Sequence, residues 1–368
     1  MAIEDGGFTP STPVEDVQQT FGQYGSVPAT GSSCTGRTMS MAEALAWSRN
    51  CATAYIMKQV GGSGNDGAKR FIEFLRNCSV QSTDLQPYPS IAIGSGEISL
   101  YEMVQAYSMF PGRGFNVKPF FITRIEDRNG NVLQTNMPQR KEVISENTAY
   151  SVITMMQGVV QHGTGRRMSS YGVSGDIAGK TGTTNDNSDA WFMGYTPQLL
   201  AGVWTGCDDR FIRLNSKAGE GASMALPVWA YFYQKCLADP ALNIDRTAHF
   251  VKPESMSNEG IYDWNNSTLP DLGAQGENMG NGTQKDYEEM PPAGKPEEIA
   301  PESELSTQPD KNNDNSVSPA GSGNNPNPNP QPGKKTRDRN NGKDTSSAGQ
   351  RPKATMPKKD EVKPPPGR

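Results

Sequence analysis

Three apolar runs between residues 177 and 207 are separated only by short polar breaks, and that spacing leaves few ways to fold. Ile177-Ala178 lead into Gly179-Lys180-Thr181-Gly182-Thr183-Thr184. A polar loop at 185–189 precedes the run 190–196, and a turn at Thr196-Pro197-Gln198 precedes the run 199–207. Parallel neighbours need a long crossover, so connections this short force an antiparallel sheet. Lys180 then stands on a strand among glycines and threonines, where it can hold an anionic group with the backbone close by.

A nucleotide phosphate fails as that anion. A phosphate-binding loop needs G-x-x-x-x-G-K-[ST], which puts glycine at 174; Ser174 is there, and Gly175 is one place out. Such a loop also runs straight into a helix, whereas here a strand-like stretch at 191–195 follows. The other reading takes Lys-Thr-Gly as one element of a serine acyl-transfer site, the company it keeps with S-x-x-K and S-D-N.

The remaining chain is read for partners. Residues 1–38 look irregular. Ser40 and Glu43 form a capping box that opens a helix, with Ala44, Leu45, Ser48, Cys51, Ala52, Tyr55 and Ile56 at helical spacing and Gly61-Gly62 at its end. Ser48 and Asn50 sit awkwardly in it. Residues two apart on a regular helix point about 200° away from each other, so either only one faces a site or the helix breaks near 47–51. Asn65 or Asp66 caps a short helix, and Ser99 with Glu102 is a second capping box. Residues 120–126 and 132–135 make a hairpin around Asn129-Gly130. A long helix spans 146–161, and its interior Gly158 signals close packing against a neighbour. A last helix lies around 227–237. Helices, a hairpin and an antiparallel run in this order define an α+β arrangement.

Composition sets the outer limits. From about Pro270 the chain loses apolar residues and fills with Asn, Pro, Gly, Gln, Lys and Asp, which bury too little surface to offset the entropy of ordering. One folded unit at 1–250 is therefore expected, followed by a disordered tail at 251–368, acidic over 251–310 and basic over 331–368. No aromatic residues interleave the basic run, so nucleic acid is not expected as a partner. Cys34, Cys51, Cys78, Cys207 and Cys236 lie far apart with no C-x-x-C, and His162 and His249 are the only histidines, which argues against a structural zinc. Cysteine pairing cannot be read from the spacing. The polar, acidic start carries no secretion signal, and no stretch is long and apolar enough to span a membrane. Taken literally, this chain would stay in the cytoplasm.

In this order the pieces resemble the transpeptidase domain of a bifunctional (class A) penicillin-binding protein over residues 7–239. The likeness rests on Phe8-Thr9-Pro10-Ser11-Thr12-Pro13, Ala44-Leu45-Ala46-Trp47-Ser48-Arg49-Asn50, Pro89-Ser90-Ile91-Ala92-Ile93-Gly94, the Lys180 stretch, Ala190-Trp191-Phe192-Met193-Gly194-Tyr195 and Leu226-Pro227-Val228-Trp229. It implies the α+β fold shared by penicillin-binding proteins and serine β-lactamases, with S-x-N in a loop between two helices. It also implies acyl transfer from D-Ala-D-Ala stem peptides of peptidoglycan on the periplasmic side of the bacterial inner membrane, inhibition by β-lactams, and no cofactor or metal. Carried onto this chain, Ser48 shuttles a proton with help from Lys180, and Asn50 hydrogen-bonds the substrate amide. Lys180, Thr181 and Thr183 receive the terminal carboxylate, Gly182 lies with them in the substrate-binding stretch, and the Thr183 N–H gives one oxyanion donor.

One departure stands out: no serine in the chain has lysine three places on, so the family's S-x-x-K nucleophile and its activating lysine are missing. The resemblance places that motif, the first strands, a glycosyltransferase domain and a membrane anchor ahead of residue 1. The chain is thus expected to be the C-terminal part of a larger enzyme, inactive by itself. Two other readings stay open: a hydrolase of the D,D-carboxypeptidase or β-lactamase type, and a non-catalytic peptidoglycan-binding module.

Overall fold

The structure, a computed structural model, describes residues 1–209, 211–214 and 216–266. The expected antiparallel run forms β9 (Ala178–Thr183), β10 (Asp189–Tyr195) and β11 (Leu200–Gly206), in the order β11-β10-β9. The register sets Lys180 opposite Met193 and Thr181 opposite Phe192. Alternation along β10 buries both of its faces. Ala190 and Phe192 pack with Leu226 and Trp229 of helix α7 (Gly221–Ala238) on one side. Tyr195 packs on the other with Ile153 and Met156 of α6 (Glu146–Gln161) and with Phe110. The sheet is thus a layer between helices, and β9 and β11 are its two edges among the described residues.

Both capping boxes form. Ser40 opens α2 (Met41–Ala46) and Ser99 opens α5 (Leu100–Tyr107), each with reciprocal side-chain and backbone hydrogen bonds to the glutamate three residues on. α2 does not continue to Gly61; it stops after six residues, and α3 (Asn50–Gly61) starts afresh, followed by α4 (Asp66–Asn77). The break is the second of the two alternatives raised by the Ser48–Asn50 spacing.

Three expectations need correction. Residues 1–38 are not wholly irregular: α1 (Ala2–Gly6) opens them, β1 (Pro13–Glu15) pairs antiparallel with β4 (Thr38–Ser40), and β2 (Gln19–Thr20) pairs with β3 (Ser26–Val27). A third short pair, β5 (Phe115–Val117) with β8 (Arg140–Glu142), flanks the exposed hairpin β6 (Arg124–Glu126) and β7 (Val132–Thr135). Apart from the expected hairpin, these strands of two or three residues are too brief for alternation to show in the sequence. Second, α7 starts at Gly221, with Pro227 inside it. An interior proline removes a helix hydrogen bond, and here the first turns are held from outside, where Gly221 N–H donates to Thr183 Oγ1 at 3.0 Å. Third, the boundary expected at residue 250 does not interrupt packing. Met256 is buried, Tyr262 hydrogen-bonds Glu43, and Trp264 lies on Gly158 and His162. The rest of the expected tail, from residue 267, lies outside the described residues.

Candidate functional site

The break between α2 and α3 is a Schellman turn. Arg49 N–H donates to Ala44 O at 2.9 Å and Ser48 N–H to Leu45 O at 3.1 Å, the two bonds that close such a helix end. The residue after the cap takes the left-handed conformation, normally a glycine position; here it is Ser48, with φ 54°. Left-handed backbone costs a residue with a Cβ about 1–2 kcal/mol. The conformation leaves the Ser48 side chain exposed at the outside of the turn.

That hydroxyl meets the lysine strand. Lys180 Nζ donates to Ser48 Oγ at 2.7 Å and to Thr181 O at 2.8 Å. The two sequence elements suspected of sharing a site, 132 residues apart, are in direct contact. Lys180 is partly buried, and burial pulls its ammonium down to about 8 from an ordinary 10.5. Near neutral pH it still carries a charge for an anion, and it can release a proton with little further change in pH.

The other candidates divide. Asn50 is exposed in the first turn of α3, two residues past Ser48. Thr183 is exposed at the end of β9; its oxygen accepts from Gly221 N–H and its own proton remains to donate. Gly182 is partly exposed between the two threonines. Thr181 differs. It is buried, and its hydroxyl pairs with that of Thr164 at 2.7 Å, so it braces the strand from behind.

Thr164 was missed by sequence reasoning, which saw only a helix stop. Its N–H donates to Ala46 O, the last residue of α2, at 3.1 Å, while its hydroxyl pairs with Thr181. One residue therefore ties the helix that presents Ser48 to the strand that presents Lys180. Gly163 allows the approach: a Cβ there would stand 2.1 Å from Ala46 O. The available signal was His162-Gly163-Thr164-Gly165, a helix stop with more glycine than a stop requires.

Two further supports hold the turn. Cys34 and Cys51 form a disulfide, which staples the residue after Asn50 to the preceding loop. The fully buried Asp16 carboxylate accepts from Thr35 N–H at 3.0 Å and Thr35 Oγ1 at 2.8 Å, and lies 4.0 Å from Arg49 Nε.

Fold and site together set a lysine on an edge strand of an antiparallel sheet against an S-x-N turn between two helices. The penicillin-binding protein transpeptidase domain family matches residues 1–205, and the chain belongs to that family. Among curated relatives, penicillin-binding protein 1A of Aquifex aeolicus is 37% identical over 186 residues, covering 50% of this chain and 24% of that protein. Penicillin-binding protein 1A of Neisseria meningitidis serogroup A is 32% identical over 241 residues, covering 63% and 29%. The chain thus spans less than a third of the length of these relatives. Among solved structures, penicillin-binding protein 1A from Haemophilus influenzae superposes with a TM-score of 0.56 at 22% identity, over 67% of this chain and 41% of that one. The PonA1 protein from Mycobacterium tuberculosis in complex with penicillin V gives 0.55 at 21%, over 70% and 69%. At these identities the superpositions establish the α+β fold.

Proposed function

We propose that this chain supplies the carboxylate-binding and proton-transfer half of a D,D-transpeptidase site that cross-links peptidoglycan stem peptides by serine acyl transfer. The observation that carries the reading is the 2.7 Å contact between Lys180 Nζ and Ser48 Oγ. In this scheme Lys180 holds the terminal carboxylate as a point charge, with Thr183 donating beside it. Ser48 relays a proton between Lys180 and the leaving amine, and Asn50 receives the stem-peptide amide. Peptidoglycan stem peptides and β-lactams are the ligands of the complete site. The Cys34–Cys51 disulfide supports an oxidising compartment such as the periplasm. Among the described residues no helix is long and apolar enough to cross a membrane.

No serine in these 368 residues precedes a lysine by three, so this half-site carries no S-x-x-K nucleophile of its own. Intact-mass measurement of the chain after incubation with a β-lactam is expected to show no adduct, and a stoichiometric one would overturn that half of the reading. A peptide ending in D-Ala-D-Ala is expected to bind non-covalently and to lose at least tenfold in affinity in Lys180→Met, since an ion-paired carboxylate contributes on the order of 1.5–3 kcal/mol. Equal affinity in the variant would remove the carboxylate assignment.

A further inference from the structure

Residues 255–264 follow one stripe of α6 from end to end. Ser255 Oγ donates to Asn147 Oδ1 at 3.0 Å, and Ser151 Oγ donates to Gly260 O at 2.8 Å. Further along, Trp264 Nε1 donates to Thr154 O at 3.4 Å. The Trp264 ring lies over Gly158, where a Cβ would stand 1.8 Å from Cζ2, and stacks on His162 with centroids 5.0 Å apart. Positions 147, 151, 154, 158 and 162 are spaced three or four apart, so they form a single face of the helix.

The far end of this segment reaches both sides of the site. Tyr262 packs edge-on to Trp264 and donates to Glu43 Oε1 at 2.8 Å. Glu43 is the capping-box residue of α2, and its other oxygen accepts from Ser40 N–H. α2 has only six residues, so fixing its first turn fixes its last, which ends two residues before Ser48. His162, beneath Trp264, immediately precedes the Gly163-Thr164 pair that bonds to Ala46 O and to Thr181.

We propose that residues 255–264 form a positioning strap, in which Tyr262 holds α2 and Trp264 holds the end of α6, so that together they set the contact between Ser48 and Lys180. Neither aromatic touches the reacting groups. The strap acts through Glu43 on the serine side and through His162 and Thr164 on the lysine side. A segment that merely covered apolar surface would not need a glycine cleared for its indole at 158, nor a phenol placed on a capping carboxylate. The proposal rests on the Ser48–Lys180 site described above, but its test needs no substrate and so is separate from the assignment of the ligand.

The measurement is the titration of Lys180 in the full chain, followed by NMR of its labelled side chain and assigned by its loss in Lys180→Met. In the parent the midpoint is expected at about 8. Trp264→Ala should loosen the clamp, admit water to the ammonium and move the midpoint up by about one unit, because desolvation is what depresses it. Gly158→Ala should do the same with the strap sequence intact, by displacing the indole, and it serves if Trp264→Ala does not fold. Trp264→Phe keeps a ring on His162 and should stay near the parent value. A fall in thermal midpoint for Trp264→Ala or Gly158→Ala with Lys180 titrating as in the parent would overturn the proposal and leave the segment a structural cover. A parent midpoint near 10.5 would overturn it too, since there would be no desolvated contact to position.

Discussion

The hydroxyl of Thr164 lies 2.7 Å from that of Thr181, and the Thr164 N–H is bonded to the last carbonyl of the helix that presents Ser48. The site is therefore braced on the side away from solvent, by a residue that touches neither Ser48 nor Lys180 through any described hydrogen bond. Thr164→Val keeps the shape and removes the hydroxyl, leaving buried Thr181 without that partner. The expected cost is about 1–3 kcal/mol in urea unfolding, the penalty for an unsatisfied buried polar group. Thr164→Ser should recover most of it. Equal stability of the valine variant would mean that the hydroxyl pair contributes nothing.

Ser48 offers a sharper contrast. Its left-handed φ of 54° is one that glycine adopts freely. Ser48→Gly is expected to stabilise the chain relative to Ser48→Ala by about 1 kcal/mol, since both lose the hydroxyl and only alanine keeps the strain. Paired thermal melts of the two variants measure this. Neither should support proton transfer in a complete site, so stability and function would separate at one atom.

What the sequence revealed and what it hid follow from the range of the forces involved. β9 to β11, the two capping boxes and α6 were legible because alternation, capping and helical spacing are local patterns. The pairing of Ser48 with Lys180 was suggested only by family resemblance, since no local rule links residues that far apart. The Schellman turn at Ser48 was hidden because it breaks the glycine rule by which such turns are found. Gly158 announced a close neighbour but not its identity. Trp264 sits next to residues whose composition reads as unfolded, and two aromatics were too few to outweigh that average. The Cys34–Cys51 pairing belongs to the same class, as cysteine spacing alone does not specify connectivity.

That disulfide closes a loop across 17 residues and fastens the first turn of α3. Chain-entropy reasoning gives about 3 kcal/mol for a loop of this size. Replacing both cysteines by serine should lower stability by about that amount and loosen the Ser48–Asn50 turn. Denaturant melts of the oxidised, reduced and double-serine forms would check it, with the last two expected to agree. A reduced form as stable as the oxidised one would show that the Asp16–Thr35–Arg49 cluster holds the turn unaided.

The last prediction concerns pH and turns on the sign of the Lys180 shift. The folded chain holds this lysine at about 8, below the ordinary 10.5 that it regains on unfolding. Below about 8 the group is charged in both states, and the folded chain bears the full cost of a desolvated ammonium. Between about 8 and 10.5 the unfolded chain binds more protons than the folded one, so stability rises with pH through that window as the cost is relieved. Lys180→Met has no such term. The parent is therefore expected to gain stability relative to Lys180→Met between pH 8 and 10.5 by at most about 3 kcal/mol, and by less because Lys180 is only partly buried and solvent screens it. Comparing the two proteins cancels the tyrosines and cysteines that titrate in the same range. A difference that stays constant with pH would mean that Lys180 is hydrated in the folded chain, and a difference that shrinks would mean that an anionic neighbour holds it charged.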